Sequence, residues 1–230
     1  MEAIILVGGL GTRLREIVSD VPKPMAPVAG RPFLEILLTT LAHKGFERAI
    51  ISVGYMAEKV SDYFGSRFEN MELIYVVEEE PFGTGGALRV SLEHIESDHA
   101  FIFNGDTFLD LETNLIEDQW LANMRPIIVG CRVPDTTRYG RLLQENDIAY
   151  GFTEKGTSGP GLINGGCYVL RKGELDSFTL FSKFSFESDF LIDAVARGEF
   201  DVFVTKGRFI DIGVPEDYYR AEEELKDLID

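Results

Sequence analysis

The chain has 230 residues, of which 45% are hydrophobic and 27% are charged, which is ordinary for a globular enzyme. Its formal net charge is −17, and because binding to duplexes needs a basic face, this balance argues against nucleic acid as a partner. No apolar run approaches the length of a membrane span, and the first residues lack the basic region of a secretory signal. We therefore expect a cytoplasmic protein with no membrane partner and a single domain over residues 1–230.

Strands and helices alternate through the first half of the chain, each identified by an apolar run or by helical spacing of apolar residues. In chain order the predicted elements are strand 3–7, helix 31–44, strand 48–53, helix 56–64, strand 73–77, a helix ending near residue 95 and strand 100–106. This alternation is typical of βαβ units on a mostly parallel sheet.

The second half is less regular. Its predicted elements are strand 127–133, a hairpin over 142–154, strand 161–170, helix 186–198, strand 200–205 and a closing helix over 215–229. The isolated thiols of Cys131 and Cys167 are predicted to be buried, with no disulfide or zinc site, and Trp120 to pack on a helix. The histidines, which are assigned no chemistry, are predicted at the surface: His43, His94 and His99.

A glycine-rich loop follows the first strand, and two cations lie in or soon after it. Glycines at a strand end let backbone N–H groups approach a ligand closely, and arrays of N–H groups favour phosphate oxygens. Arg13 adds a planar fork suited to phosphate, and Lys23 adds a mobile point charge. A tight turn with two solvated cations is the alternative interpretation of this loop alone. The spacing matches neither a Walker A loop nor the G-x-G-x-x-G of dinucleotide-binding folds, which disfavours a nicotinamide-dependent dehydrogenase.

Two acids end apolar strands that are far apart in sequence. Asp106 closes "FIFNG" and Asp211 follows "FI" shortly before the last helix. A lone Asp in such a place is as often a helix cap or a turn former. Open α/β sheets, however, bind ligands at the carboxyl ends of their strands. Two converging carboxylates there suit a Mg²⁺ ion that also takes triphosphate oxygens, so we predict a metal site from Asp106 and Asp211.

The motif GGxGTRL, followed about ten residues later by PKPM, resembles the signature of the sugar-1-phosphate nucleotidylyltransferases. The resemblance implies a three-layer α/β/α Rossmann-like nucleotide-diphospho-sugar transferase fold with a mixed, mostly parallel central sheet. It implies that Arg13 contacts the departing pyrophosphate and Lys23 the phosphates being joined, with Asp106 and Asp211 in the metal-binding positions. The family often has a proline shortly after GTRL, where this chain has Arg15, but that departure lies in the connecting segment.

The same resemblance assigns the nucleotide-binding residues. "EEEPFGTGGAL" resembles the segment that contacts the nucleobase, and glutamates supply the acceptors that the N1–H and amine of guanine need. We expect at least two of these three glutamates to be solvated and the glycines to leave room for a flat ring. The predicted nucleotide-binding residues are Gly8, Gly9, Gly11, Thr12, Arg13, Glu78, Gly83 and Gly85.

Three short segments resemble the family's sugar-binding elements. Hydroxyl groups of a sugar need both donors and acceptors, and a lysine suits the sugar's phosphate. The predicted sugar-phosphate-binding residues are Tyr139, Gly140, Glu154, Lys155, Asn164 and Gly165.

The resemblance implies nucleotidyl transfer, in which a sugar 1-phosphate and a nucleoside triphosphate give a nucleotide-sugar and pyrophosphate. The attacking phosphate oxygen is already anionic, so no general base is required, in agreement with the absence of a catalytic triad motif. Within the family the chain most resembles bacterial D-glycero-D-manno-heptose 1-phosphate guanylyltransferases, which use GTP for capsule, lipopolysaccharide or S-layer glycans. A mannose 1-phosphate guanylyltransferase, a uridylyl- or thymidylyltransferase and a non-catalytic nucleotide-sugar sensor remain alternatives. A homo-oligomer is compatible with the sequence.

Overall fold

The computed structural model of the chain describes residues 1–9 and 21–228. Its strands are β1 (Glu2–Leu6), β2 (Pro27–Val28), β3 (Arg31–Pro32), β4 (Arg48–Val53), β5 (Arg67–Phe68), β6 (Met71–Val77), β7 (His99–Asn104), β8 (Thr107–Leu109), β9 (Ile127–Val133), β10 (Leu142–Glu145), β11 (Ile148–Phe152), β12 (Gly161–Arg171), β13 (Asp201–Thr205) and β14 (Phe209–Asp211). Its α-helices are α1 (Phe33–His43), α2 (Ala57–Phe64), α3 (Gly83–Leu92), α4 (Thr113–Asn123), α5 (Ile192–Ala196) and α6 (Pro215–Glu224).

Ten strands form the central sheet, in the order β10-β11-β13-β9-β12-β7-β1-β4-β6-β5. The first half of the chain supplies β1, which pairs in parallel with β4 and β7, and β4, which pairs in parallel with β6. The second half joins through β12, which is antiparallel to both β7 and β9 and so restores the common strand direction in β9 and β13. The sheet is therefore mixed and mostly parallel, as expected.

Helices cover both faces of this sheet. Side chains alternate along β1, so that Ala3 and Ile5 belong to one apolar cluster and Ile4 to the other. The first cluster is closed by residues of α1, α2 and α4, and the second by residues of α3 and α5. Two buried faces explain why β1 is apolar along most of its length, and they give the predicted three-layer α/β/α arrangement.

A third, smaller apolar cluster connects the two ends of the chain. It includes Val28, Phe33 and Phe108 together with Ile210 and residues of α6. The short strands β8 and β14 pair antiparallel within this cluster, outside the main sheet. The cluster thus holds the segment that carries Asp211 against the segment that follows Asp106.

The structure corrects three local expectations. Helix α3 begins at Gly83, inside the glycine-rich turn, and the predicted helix 186–198 begins with a π-helical turn at Glu187–Leu191. His99 is not at the surface, since it is buried in β7 and stacked on Trp120 with ring centroids 4.7 Å apart. Trp120, Cys131 and Cys167 are buried, as predicted.

Within the ranges that the structure describes, no helix combines the length and the hydrophobicity needed to cross a bilayer.

Candidate active site

A cleft of ≈ 430 Å³ opens at the carboxyl ends of the parallel strands in the first half of the sheet. This is the edge at which open α/β sheets bind ligands. The residues that line it at or just after strand ends are Leu6, Val7, Ser52, Glu78 and Asn104. Gly8 and Gly9, two of the predicted nucleotide-binding residues, also line this cleft, whereas Gly11, Thr12 and Arg13 lie outside the described residues.

Lys23 and Asp106 meet at the wall of the cleft. The Lys23 Nζ donates a hydrogen bond to Asp106 Oδ2 at 2.5 Å, and both residues line the cleft. Lys23 begins a short 3₁₀ turn whose Pro24 and Met25 are buried, and this turn fixes the base of the lysine side chain. The side chain of Lys23 is 10% exposed and that of Asp106 is 38% exposed. The ammonium group is therefore held inside the cleft, with the carboxylate nearer to solvent.

The pairing of β8 with β14 places Asp211 at the same end of the sheet as Asp106. Asp211 lies opposite Thr107 in the register, and the Ile212 N–H donates to the Asp106 carbonyl oxygen at 3.0 Å. The Gly213 N–H donates to Asp211 Oδ1 at 2.7 Å, and Gly213 itself lines the cleft. Two acids separated by more than 100 residues in sequence are thus neighbours.

The electrostatics of Asp211 reflect this proximity. Burial and the negative charge of Asp106 raise the pKa of the Asp211 carboxyl above its usual value, opposed by Lys23 and by the Gly213 N–H. A raised pKa means that the ionised pair is electrostatically unfavourable without a further cation. Among the described residues no group of three or more histidine, cysteine or acidic side chains could hold a metal ion. Two carboxylates of this kind nevertheless fit Mg²⁺, which takes few protein ligands and completes its shell with phosphate and water.

Glu78 links two segments of the cleft by hydrogen bonds. Its Oε1 accepts a hydrogen bond from Ser52 Oγ at 3.1 Å, and its Oε2 accepts one from the Phe82 N–H at 3.0 Å. A Cβ on Gly8 would lie 2.5 Å from Glu78 Oε1, so the loop passes close to the Glu78 carboxylate. Glu79 and Glu80 are exposed, in agreement with the expectation that at least two glutamates are solvated.

The glycines after this turn lie close to the chain around Phe184. A Cβ on Gly83 would lie 2.5 Å from the Phe184 carbonyl oxygen, and one on Gly85 would lie 2.2 Å from the Phe184 ring. The side on which a Cβ would stand is therefore filled at both glycines, and their contact with a flat ring stays a prediction. Gly83 lines the cleft, whereas Gly85 is buried beneath Phe184.

Two of the predicted sugar-binding segments lie side by side. A Cβ on Gly140 would lie 2.5 Å from the Thr153 carbonyl oxygen, so the turn at Tyr139 packs against the segment that leads to Glu154 and Lys155, both exposed. The Tyr139 ring lies 5.9 Å from that of Phe209, in the same short strand as Asp211. Tyr139 therefore lies on the Asp211 side of the site, next to the segment that leads to Glu154.

The side chain of Asn164 forms hydrogen bonds within a β-bulge. Its Oδ1 accepts a hydrogen bond from the Gly166 N–H at 3.0 Å, and its Nδ2 donates to Tyr168 Oη at 2.7 Å. The bulge lies where the register between β12 and β9 shifts, and Gly165 is buried in it. These two hydrogen bonds fix the side-chain amide of Asn164 within the bulge and leave one donor and one acceptor position of the amide for a ligand.

Glu187 is a charged residue of the cleft that is not among the predicted site residues. Glu187 lines the cleft, and its Oε2 accepts a hydrogen bond from Thr84 Oγ1 at 2.6 Å. The two residues are 103 positions apart, and neither belongs to a phosphate or metal motif. Thr84 lies in the segment EEEPFGTGGAL, which resembles the nucleobase-contacting segment, whereas Glu187 lies in FSFESDFL, where no site residue is predicted from the sequence.

Comparisons with known proteins agree over the full length of the chain. A family described as "Nucleotidyl transferase" matches residues 2–227. A D-glycero-alpha-D-manno-heptose 1-phosphate guanylyltransferase from Aneurinibacillus thermoaerophilus is 38% identical over 100% of both chains. One from Campylobacter jejuni is 40% identical over 95% of this chain and 97% of its own. The crystal structure of HddC from Yersinia pseudotuberculosis complexed with GMP-PN has a TM-score of 0.87 and 39% identity, covering 98% of this chain and 99% of that one.

Proposed function

We propose that this chain, which belongs to the nucleotidyl transferase family, transfers a guanylyl group from GTP to D-glycero-α-D-manno-heptose 1-phosphate. The products are GDP-heptose and pyrophosphate. The observation that carries the proposal is the meeting of Lys23 and Asp106, beside Asp211, at the strand ends of one cleft. The names of two relatives that match nearly the whole chain support the choice of GTP and the heptose. A cytoplasmic location and use of the product in capsule, lipopolysaccharide or S-layer glycans belong to the same proposal.

The chemistry is an in-line displacement at the α-phosphorus of GTP. A phosphate oxygen of the sugar 1-phosphate forms a bond to the α-phosphorus, and the bond from that phosphorus to the α–β bridging oxygen breaks. The electron pair leaves with pyrophosphate. Because the nucleophile is already anionic, catalysis consists of aligning two anions and stabilising the charge that develops on the leaving group.

Lys23 would contact the α-phosphate or the sugar phosphate. Its ammonium group has three donors, of which one is bonded to Asp106. Arg13 would hold the departing pyrophosphate together with the backbone N–H groups of the loop that begins at Gly8 and Gly9. In a chain with a net charge of −17, these cations offset repulsion that the protein otherwise exerts on a triphosphate.

Asp106 and Asp211 would hold Mg²⁺. When bound, the ion would neutralise phosphate charge and favour the ionised form of Asp211, whose pKa is raised by burial and by Asp106. Tyr139, Gly140 and the Glu154–Lys155 pair would surround the heptose on the Asp211 side, where their packing is contiguous with β14.

The proposal is tested by measuring pyrophosphate release with five nucleoside triphosphates against heptose, mannose, glucose and N-acetylglucosamine 1-phosphates, with Mg²⁺ or with a chelator. We expect the highest kcat/KM for GTP with the heptose 1-phosphate and no turnover with the chelator. A higher kcat/KM for mannose 1-phosphate than for the heptose 1-phosphate, or for UTP or dTTP than for GTP, would assign the protein another activity of the family. Binding of nucleotide-sugars without pyrophosphate release from any pair would identify a non-catalytic sensor.

A further inference from the structure

Glu187 stands on the cleft wall at the start of an unusual helical turn. The turn Glu187–Leu191 is π-helical, a geometry that is frequent at functional sites. The Glu187 side chain is half-buried, and its Oε2 accepts hydrogen bonds from Thr84 Oγ1 at 2.6 Å and from Ser185 Oγ at 3.0 Å. The Thr84 hydroxyl in turn accepts the Phe186 N–H at 3.0 Å. One carboxylate oxygen is thus held in place by the protein's own hydroxyl groups.

The other oxygen, Oε1, accepts no hydrogen bond and forms no ion pair with any residue in the described ranges. This distinguishes Glu187 from the other two acids that line the cleft. Asp106 is paired with Lys23, and both oxygens of Glu78 accept hydrogen bonds. A carboxylate oxygen in a partly desolvated cleft gains free energy when a ligand N–H or O–H group is bonded to it.

The surroundings of Glu187 indicate which part of the substrates would lie beside it. A phosphate would be repelled by the carboxylate and attracted to Lys23, which lines the same cleft. Among the described residues that line the cleft, none belongs to the predicted sugar-binding set. Glu187 instead lies on the same wall as Thr84. Phe82, two residues before Thr84, donates its N–H to Glu78. Because Glu78 and Gly83 of the predicted nucleotide-binding set line the same cleft, the nucleoside is the group we assign to this wall.

The wall is rigid enough to make such a contact specific. Segment 182–186 packs directly on the first turn of α3, since Cβ atoms on Gly85 and Gly86 would collide with Phe184 and with the Ser182 carbonyl oxygen. The Gly85 N–H also donates to the Phe184 carbonyl oxygen at 3.0 Å. An acceptor fixed by packing and by bonded hydroxyl groups loses little conformational freedom when a ligand binds.

We propose that Glu187 accepts, through its free carboxylate oxygen, a hydrogen bond from an N–H or O–H donor of the nucleoside of the bound triphosphate. The donor is either the guanine edge or a ribose hydroxyl, which offer the same chemistry to a carboxylate. Glu187 is then a nucleotide-binding residue that sets affinity for GTP while the phosphates are held elsewhere. This inference rests on the proposed function, whose nucleotide it further specifies.

The test compares the wild-type protein with Glu187→Gln and Glu187→Ala. Calorimetric binding of GTP and the KM values for GTP and for the sugar phosphate are measured for each protein. We expect Glu187→Ala to bind GTP about tenfold more weakly, as for a lost hydrogen bond to a charged group, and Glu187→Gln, which keeps an acceptor oxygen without the charge, to lose less, with the KM of the sugar phosphate unchanged. Asp193→Asn removes an exposed carboxylate from the next turn and is the matched control, with wild-type affinity expected. Thermal unfolding verifies that every variant is folded.

Two analogues identify the donor. Inosine triphosphate lacks the guanine amine, and 2′-deoxyguanosine triphosphate lacks a ribose hydroxyl. The analogue that lacks the partner of Glu187 binds more weakly than GTP to the wild-type protein and as well as GTP to Glu187→Ala, which has no acceptor. Unchanged GTP affinity in both folded variants, or a change confined to the sugar phosphate, would overturn the inference. A wild-type protein that binds GTP but releases no pyrophosphate would contradict the proposed function alone.

Discussion

At the scale of single residues, the site depends on where its few cations lie. Lys23 is nearly covered although it belongs to a chain with 39 acidic and 22 basic residues. Its partner Asp106 is more exposed, so the cation is enclosed within the cleft instead of projecting into solvent. An enclosed ammonium group interacts more strongly with phosphate than one at the surface, because water screens it less.

Replacing Lys23 by alanine should therefore impair turnover more than folding. We expect Lys23→Ala to lower kcat by about 100- to 1,000-fold, the usual effect of losing one preorganised charge or donor at a transition state. Pyrophosphate release at saturating substrates measures this effect. Lys226→Ala, which removes an exposed lysine paired with Glu223, is the control and should keep wild-type kcat. Near-normal turnover of a folded Lys23→Ala protein would remove Lys23 from the mechanism.

Glu2 shows how a buried acid serves stability instead of chemistry. Burial alone would raise the pKa of its carboxyl, but hydrogen bonds from the Ser97 hydroxyl and N–H, another from the Glu96 N–H, and the charge of Arg48 lower the pKa below 4.5. Its Oε1 accepts a hydrogen bond from Arg48 Nη1 at 2.8 Å. A lowered pKa in the folded state means that ionised Glu2 stabilises the fold above the unfolded-state pKa.

That stabilisation should disappear in acid. We expect Glu2→Gln to lower the free energy of unfolding by about 2 kcal/mol at pH 7, since hydrogen bonds to a charged group are lost. As pH falls through the lowered pKa of folded Glu2, the wild-type carboxylate takes up a proton and the difference from Glu2→Gln shrinks. Urea titrations at pH 7 and pH 3 measure both values. An equal deficit at the two pH values would contradict this account.

At the scale of elements, the glycine-rich turn joins the two halves of the chain. Helix α3 begins at Gly83, and its first turn is in contact with segment 182–186. The Gly85 collision involves only ring atoms of Phe184, whereas a Cβ on Gly86 would lie 2.4 Å from the Ser182 carbonyl oxygen. A smaller side chain at position 184 relieves the first collision but not the second.

This difference gives a prediction for paired substitutions. Gly85→Ala and Gly86→Ala should each destabilise the protein by about 1–3 kcal/mol, because side-chain atoms are forced into filled space. Adding Phe184→Leu should recover part of the loss in Gly85→Ala and none of it in Gly86→Ala. Urea unfolding of the single and double variants measures the coupling. Strictly additive effects for the Gly85–Phe184 pair would mean that the contact does not exist in solution.

Elements that depend on local pattern could be predicted, and those that depend on tertiary contacts could not. Strand β4 has the predicted bounds, because an apolar run between two turns leaves little choice. Helix α1 begins two residues later than predicted, because Arg31–Pro32 pairs with Pro27–Val28. The π-helical turn at Glu187–Leu191 has no signature in helical periodicity, so the sequence indicates only a helix there.

At the scale of the whole molecule, only the site residues that belong to short sequence motifs could be predicted. Lys23, Asp106 and Asp211 each lie in a compact motif, but the two acids come together through the pairing of β14 with β8, outside the main sheet. The hydrogen bonds of the Asn164 amide within the bulge depend on a register shift between β12 and β9, which the sequence does not indicate, and the contact of Asn164 with the sugar stays a prediction. Glu187 could not be found from sequence, since its partner Thr84 is remote and only the fold joins them.

The central claim is that Asp106 and Asp211, brought together from opposite halves of the fold, act as one unit on the phosphates beside Lys23. A double-mutant cycle tests it most directly, with kcat/KM for pyrophosphate release from GTP and heptose 1-phosphate measured for wild type, Asp106→Asn, Asp211→Asn and the double variant. We predict that each single change lowers kcat/KM by about 100-fold or more. The kcat/KM of the double variant should be only slightly lower than that of the less active single variant, as for residues that act together. Losses that multiply, or a folded single variant with near wild-type activity, would contradict the claim.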